Sequence, residues 1–296
     1  MAHPPRTRVA FLGLGKMGHG MAGRLLDAGF DVAVWNRSKA KADDLIGRGA
    51  RWADSPAEAA RETRAILTMV ADAAASQAVW LGPEGAASTA PADALAIECS
   101  TVSHQHALDM AAALRARDLV YIDCPVTGLP DAAARGELTL LIGAEPNDLD
   151  QARPFLAPLS QTIRHFGPVG TGTVYKLINN LMGAIQIAGI AEGLAIAEHA
   201  GLDMTLVREA ILSSVVASPQ VLRHAPRMIA RDFANATFTA ALRHKDAVYA
   251  LNLGEALLPH LPLSRAAVEI YAKAAAAIPA EDEGRLIELL SDQSRV

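Results

Sequence analysis

Apolar positions along this chain follow two different rules, and the change comes near Gly167. Before it, short runs rich in aliphatic and β-branched residues recur: RVAFLG, DVAVWN, RAILTMV, ALAIECS, LVYIDCP, LTLLIG and TIRHFG. Their apolar residues are consecutive rather than alternate, the pattern of strands covered on both faces. Between most of them lie alanine-rich stretches with helical spacing, such as MAGRLLDAG and HQHALDMAAALRARD. Strand and helix in alternation predict a mostly parallel sheet flanked by helices. Beyond GPVGTG the β-rich runs stop. Helical spacing then predicts a long helix from Thr173 to about Ala200, others near Met204–Ser213 and Phe238–Leu258, and more beyond Pro262. The expected organisation is an α/β domain over residues 1–166 and an all-α domain over residues 167–296.

The first strand runs straight into GLGKMG, which sets Gly13, Gly15 and Gly18 in a G-x-G-x-x-G array with Leu14, Lys16 and Met17 between them. Such an array alone also describes an ordinary tight turn. Here a strand precedes it and a helix from about Met17 follows, the setting of a Rossmann dinucleotide site. Gly13 then permits the turn, Gly15 admits a pyrophosphate to the backbone, and Gly18 lets helix and strand pack closely. The helix N-terminus offers N–H groups and partial positive charge to phosphate. The second strand ends in Asn36-Arg37-Ser38, where an NAD-binding site commonly carries an acid for the ribose 2′-hydroxyl. A guanidinium there suits a 2′-phosphate, with Ser38 and Lys41 assisting, so NADP(H) is the expected cofactor. The competing reading is a solvated arginine after a strand.

Composition narrows the rest. Of 296 residues 51% are apolar, enough for large cores, and the formal charge of −5 argues against a nucleic-acid partner. Cys99 and Cys124 form neither a metal spacing nor a disulfide framework, which suits a reducing cytoplasm. His104, His106, His199 and His244 have no metal-ligand spacing, so no metal is expected. The early run VAFLGLG ends at Lys16 and is not read as a signal peptide. LMGAIQIAGIAEGLAIA is broken by Gln186 and Glu192 and reads as a core helix rather than a membrane span.

Within the long helix, Lys176, Asn179 and Asn180 share one side at i, i+3 and i+4. An unpaired buried ammonium is costly, so that side is expected to line a wet inter-domain cleft where a nicotinamide would point. A lysine there can exchange a proton with a substrate oxygen, its reference pKa of about 10.4 lowered by desolvation. The competing reading is a lysine snorkelling to solvent, with the amides bonded within the helix.

With these residues in view, the chain resembles the β-hydroxyacid dehydrogenase family, which includes 3-hydroxyisobutyrate dehydrogenase and NADPH-dependent glyoxylate and succinic semialdehyde reductases. GLGKMGHGMAGRLLDAG is similar to its cofactor loop, DCPVTG with ARGELTLLIGA to its substrate segment, GTGTVYKLINN to its catalytic helix, and DFANATFTAALRHKD to its late helix. The resemblance implies Lys176 as acid/base with Asn180 beside it, and Thr127 and Gly128 as ligands of a substrate carboxylate. It implies Val70 and Thr101 along the cofactor, and Lys245, oriented by Asp246, reaching cofactor or substrate. Each has a structural alternative: Thr127 capping a turn, Thr101 capping the helix after it, Lys245 on a solvated face. The family usually has Ser at Thr127, often Gly at Leu129 and Leu at Ala247. Leu129 adds apolar bulk beside the substrate. The implied function is NADP(H)-dependent hydride transfer between a small hydroxy acid and its aldehyde acid, and the apolar helices of the second half suggest a homodimer built through it. The alternatives are imine reduction and a non-catalytic NADPH sensor; Lys176, Asn180 and Thr127 argue against a sensor, which needs no proton relay.

Overall fold

The computed structural model describes residues 7–234 and 236–291. Its strands are β1 (Arg8–Leu12), β2 (Asp31–Trp35), β3 (Arg51–Trp52), β4 (Ala65–Thr68), β5 (Leu95–Glu98), β6 (Val120–Asp123), β7 (Val126–Thr127), β8 (Leu138–Gly143) and β9 (Ser160–Gly167). They form one nine-stranded sheet in the order β3-β2-β1-β4-β5-β6-β8-β7, with β9 paired to β8. Pairing is parallel from β3 through β6, antiparallel where β8 meets β6 and β7, and parallel between β8 and β9. The winding reverses between β1 and β4, the switch point at which such sheets leave a crevice for ligands.

Consecutive apolar residues in the strands feed two cores. Val9 and Phe11 of β1 join Met21, Leu25, Leu67 and Ile97 on one face. Ala10 and Leu12 join Ile66, Trp80, Met110 and Tyr121 on the other. This is the double burial that the unbroken apolar runs imply.

The helical part comprises the end of a helix over Thr171–His199, then Met204–Leu212, Pro219–Ala230, Ala240–Leu257 and Pro262–Ala277. Its core gathers Ala184, Ile187, Leu194, Val221, Met228, Phe233, Tyr271 and Ile287. Pro219–Ala230 escapes the sequence reading because Pro226 sits inside it. Its start is nonetheless written in the sequence: Ser218 accepts from the Val221 N–H and Pro219 takes the first helical position.

The division between two compact units falls between Lys176 and Leu177, inside the long helix and beyond the expected boundary at residue 166. The first turn of that helix belongs with the sheet because the Asp123 carboxylate at the end of β6 accepts its N–H groups. That helix also has the length and apolar composition of a membrane span, with a mean hydropathy of 1.4, a reading the sequence analysis had set aside because Gln186 and Glu192 interrupt the apolar run. Half of the window concerned is buried inside the protein, as in a core helix.

Candidate active site

The glycine loop leaves β1 at the switch point. Gly13 has φ +101°, and a side chain there would run into the Met69 carbonyl. A side chain at Gly18 would strike the Gly13 carbonyl, which fixes how tightly helix Gly18–Asp27 follows the turn. At Gly15 there is open space in the direction a Cβ would take. The loop is clamped to the next strand end: Gly13 N–H donates to the Trp35 carbonyl at 2.9 Å, and Leu14 N–H donates to Asn36 Oδ1 at 3.0 Å. The amide of Asn36 also donates to the Ser38 carbonyl at 3.0 Å. Asn36 therefore acts on the loop itself, a role the sequence reading did not assign. Arg37, Ser38 and Lys41 are exposed beyond it.

At the ends of β4 and β5, Val70 N–H donates to Ser100 Oγ at 2.8 Å. Ser100 N–H in turn donates to buried Glu98 at 3.0 Å. Glu98 also accepts from Ser76 Oγ at 2.6 Å and Trp80 Nε1 at 3.1 Å, and His106 Nε2 lies 3.0 Å from Ser76 Oγ. This chain of bonds holds the backbone at Val70 and around half-buried Thr101. Helix His104–Arg115 is capped by Ser103, whose Oγ accepts from His106 N–H at 3.2 Å, so Thr101 is not its cap.

DCPVTG turns from β6 into β7. Gly128 has φ +134°, the region that favours glycine, and Leu129, 41% exposed, precedes helix Pro130–Arg135. Thr127 pairs with Thr139 of β8 and is half-buried. Lys176, also half-buried, donates from Nζ to the Val126 carbonyl at 2.7 Å. The ammonium thus sits against the residue that precedes Thr127 and Gly128. Tyr175 stacks on Phe166 of β9, ring centroids 4.3 Å apart, bracing the same turn of helix.

In the helical unit, Asn180 is buried and donates from Nδ2 to Asp246 Oδ2 at 2.6 Å. Asn179 Nδ2 donates to Asn180 Oδ1 at 3.1 Å. Lys245 Nζ lies 2.9 Å from Asp246 Oδ1 and 5.0 Å from the centre of the Tyr249 ring. Arg243, paired with buried Glu283, donates to the Asn180 carbonyl at 3.0 Å. The sequence reading missed Arg243; its place three residues before Asp246 on one helix was the available signal.

The glycine loop meets a dinucleotide's needs: Gly15 leaves room for the pyrophosphate, and Gly13 and Gly18 occupy places where any side chain would collide. A glycine-rich turn at a topological switch point, with a lysine beside a Thr-Gly turn, defines an NAD(P)-binding oxidoreductase. Residues 8–167 match the NAD binding domain of 6-phosphogluconate dehydrogenase, and residues 170–290 the NAD-binding domain of NADP-dependent 3-hydroxyisobutyrate dehydrogenase. The chain belongs to the 3-hydroxyisobutyrate dehydrogenase family, oxidoreductases acting on CH–OH groups. It is 32% identical to 3-hydroxyisobutyrate dehydrogenase of Pseudomonas aeruginosa over 94% of this chain and 95% of that one. It is 30% identical to glyoxylate/succinic semialdehyde reductase 2 of Arabidopsis thaliana over 95% of this chain and 79% of the other. Among solved structures, Mycobacterium tuberculosis 3-hydroxyisobutyrate dehydrogenase with L-serine superposes with a TM-score of 0.86 at 29% identity, covering 96% and 99% of the two chains. Psf3 in complex with NADP+ and 2-OPP gives 0.84 at 27%, covering 96% and 100%. A Streptomyces aurantiacus imine reductase shares the fold at 0.64 and 20%, covering 96% and 99%.

Proposed function

We propose that the protein is an NADP(H)-dependent oxidoreductase that interconverts a small hydroxy acid and its aldehyde acid, with Lys176 handling the proton. The observation that carries this reading is the 2.7 Å bond holding the Lys176 ammonium to Val126, beside the Thr-Gly turn. The nicotinamide, when bound, supplies or accepts the hydride at the reacting carbon. The remaining work falls to the chain. Thr127 Oγ1 and the Gly128 N–H bind the substrate carboxylate and bring its reacting oxygen toward Lys176. Lys176 gives that oxygen a proton in reduction and takes one in oxidation. Asn180, held by Asp246, presents its amide one helical turn further on. Gly13, Leu14, Gly15, Lys16, Met17 and Gly18 hold the pyrophosphate, Val70 and Thr101 the adjoining ribose, and Lys245, oriented by Asp246, reaches cofactor or substrate.

NADP(H) is preferred over NAD(H) in this reading because the end of β2 carries exposed Arg37 and Lys41 and no acid. Exposed Ile196, Leu202 and Leu206 in the helical unit support a homodimer through that half; a monomeric mass by light scattering at micromolar concentration would contradict it. Imine reduction is the second reading: the apolar bulk of exposed Leu129 beside the Thr-Gly turn counts slightly for it, and Lys176 counts against it. The deciding experiment follows NADPH oxidation with glyoxylate, succinic semialdehyde, tartronate semialdehyde, methylmalonate semialdehyde and a cyclic imine, in wild type and Lys176→Ala. A loss of about 10²–10⁴-fold in carbonyl turnover is expected in the variant. Undiminished carbonyl turnover removes the proton role, and turnover of the imine alone selects the second reading.

A further inference from the structure

We propose that Asp123 is the positioning residue of Lys176, fixing through the base of the long helix where the ammonium stands. This rests on the reading of Lys176 as the proton-transfer group. Asp123 ends β6 and is fully buried. Its Oδ1 accepts from Gly170 N–H at 2.6 Å, and its Oδ2 from Thr173 N–H at 2.7 Å and Thr173 Oγ1 at 3.0 Å. These amides belong to the start of helix Thr171–His199, where N–H groups have no intrahelical partner. A carboxylate there also meets the positive end of the helix dipole. The helix carries its own Thr side chain, yet the acceptor comes from a strand 50 residues away. That ties the rotation of the first turn to the sheet.

Lys176 lies three residues beyond Thr173, on the same face of that turn. Its ammonium then returns to Val126, three residues beyond Asp123. One short segment of chain thus holds the helix base through Asp123 and the amine tip through Val126. Any rotation of the first turn would pull Nζ off the Val126 carbonyl. The neighbouring backbone is shaped to the carboxylate. Gly143 is the register partner of Asp123, and a Cβ at Gly143 would collide with the Asp123 carboxylate oxygens. Gly170 adopts φ +95° to bring its N–H to Oδ1. A side chain at Gly172 would strike the Leu141 carbonyl, so the helix lies directly on β8. Burial pushes Asp123 up to about 6 despite its three hydrogen bonds, so the charge is retained at some cost to stability. A site that serves geometry rather than stability accounts for that.

The test compares Asp123→Asn, Gly143→Ala and Lys176→Ala in the full chain. Asn would turn an N–H₂ donor toward an N–H donor, and the added methyl at Gly143 would displace the carboxylate without removing it. Three quantities are read: kcat and KM with the best carbonyl substrate of the panel; NADPH affinity by fluorescence; and the pH titration of the Lys176 signal after ¹³C-reductive methylation, assigned with Lys176→Arg. Both positioning variants are expected to lose about 10²-fold in kcat, the scale of a misplacement near 1 Å, with NADPH affinity within about twofold of wild type. Their Lys176 resonance should move toward that of a solvated lysine. A wild-type resonance and kcat within about threefold in either folded variant overturns the proposal. If Asp123→Asn does not fold, Gly143→Ala decides the matter by the same two readouts. Full activity in Lys176→Ala would instead remove the proton-transfer reading, while the resonance would still judge whether Asp123 places the amine.

Discussion

Polar side chains at the strand ends of the sheet unit accept backbone N–H groups as well as bonding to one another, whereas those buried in the helical unit bond largely to one another. In the first, Asn36 accepts from Leu14 N–H, Ser100 from Val70 N–H, Glu98 from Ser100 N–H, and Asp123 from Gly170 and Thr173 N–H. In the second, Arg243 pairs with Glu283, Arg227 with Asp282, and Asn180 with Asp246. The cause is the backbone. Loops at strand ends leave N–H groups without ladder partners, and a buried loop must find acceptors for them. Helices satisfy most of their own backbone, so a polar side chain buried between them is matched mainly by another side chain. One unit uses polar groups to shape loops that carry chemistry, and the other uses them to tie helices together.

The comparison breaks most visibly at Arg243. Its guanidinium is buried with the Glu283 carboxylate and donates to the Asn180 carbonyl as well. Arg243→Ala leaves Glu283 buried without its partner and should cost about 3–5 kcal/mol in chemical denaturation. Ser100→Ala removes one acceptor for one N–H and should cost about 1–2 kcal/mol. Equal losses in the two variants would erase the distinction.

Acid sharpens the same contrast, because the two units respond with opposite sign. His224 is buried beside Arg223, Arg243 and Arg227, and neither ring nitrogen has a hydrogen-bond partner among the described residues. Burial first, then those cations, push it down to about 3 from 6.5. Protonation favours the unfolded chain, so its contribution is whole above pH 6.5 and lost as pH falls toward 3. Asp123, raised to about 6 from 3.8 by burial, contributes fully below pH 3.8 and loses that contribution as pH rises through 6. Each unit of pH inside either window is worth at most about 1.4 kcal/mol. Hydrogen exchange at pH 7 and pH 4.5 should therefore show protection falling in the helical unit more than in the sheet unit. His224→Gln should flatten that fall, and an unchanged acid response in the variant would acquit the histidine.

The same physics decides what could be read from the sequence. The glycine array, the acid-free end of β2 and the Lys176-Asn180 spacing are local, so the unfolded string already displays them. The roles of Asp123, Asn36 and Arg243 are not local. Asp123 meets Thr173 across 50 residues, Leu14 meets Asn36 across 22, and Arg243 meets Glu283 across 40. In sequence each is an ordinary polar residue near a strand end or on a helix. Only the sheet register and the helix packing bring the partners together. The reach of the first compact unit into the long helix has the same origin. Composition changes at Gly167, but the first turn of the long helix is held to the sheet by a side chain far behind it.

Within the sheet unit the glycines separate folding from binding. Gly18→Ala would drive a methyl into the Gly13 carbonyl and should cost about 1–3 kcal/mol in stability. Gly15→Ala meets open space and should leave unfolding within about 0.5 kcal/mol of wild type. Its effect should fall on NADPH affinity instead, because the methyl occupies the approach of the pyrophosphate. A stable Gly15→Ala with wild-type affinity would show that the dinucleotide does not cross that residue.

Arg37 offers the smallest and most selective effect. It stands exposed just past β2 and forms no ion pair among the described residues, whereas Lys245 of the helical unit lies against Asp246. A guanidinium not committed to a protein carboxylate can engage a 2′-phosphate at two oxygens, and NADH has no such phosphate. Arg37→Ala should therefore weaken NADPH binding about tenfold, leave NADH binding unchanged, and leave the unfolding midpoint where it was. Raising salt should weaken NADPH binding in wild type more than in the variant, since an exposed ion pair is screened over about 10 Å at 0.1 M. Should NADPH and NADH both weaken equally, Arg37 would be shaping the loop beside Asn36 rather than selecting the cofactor. It would then belong with the side chains that hold backbone in the sheet unit.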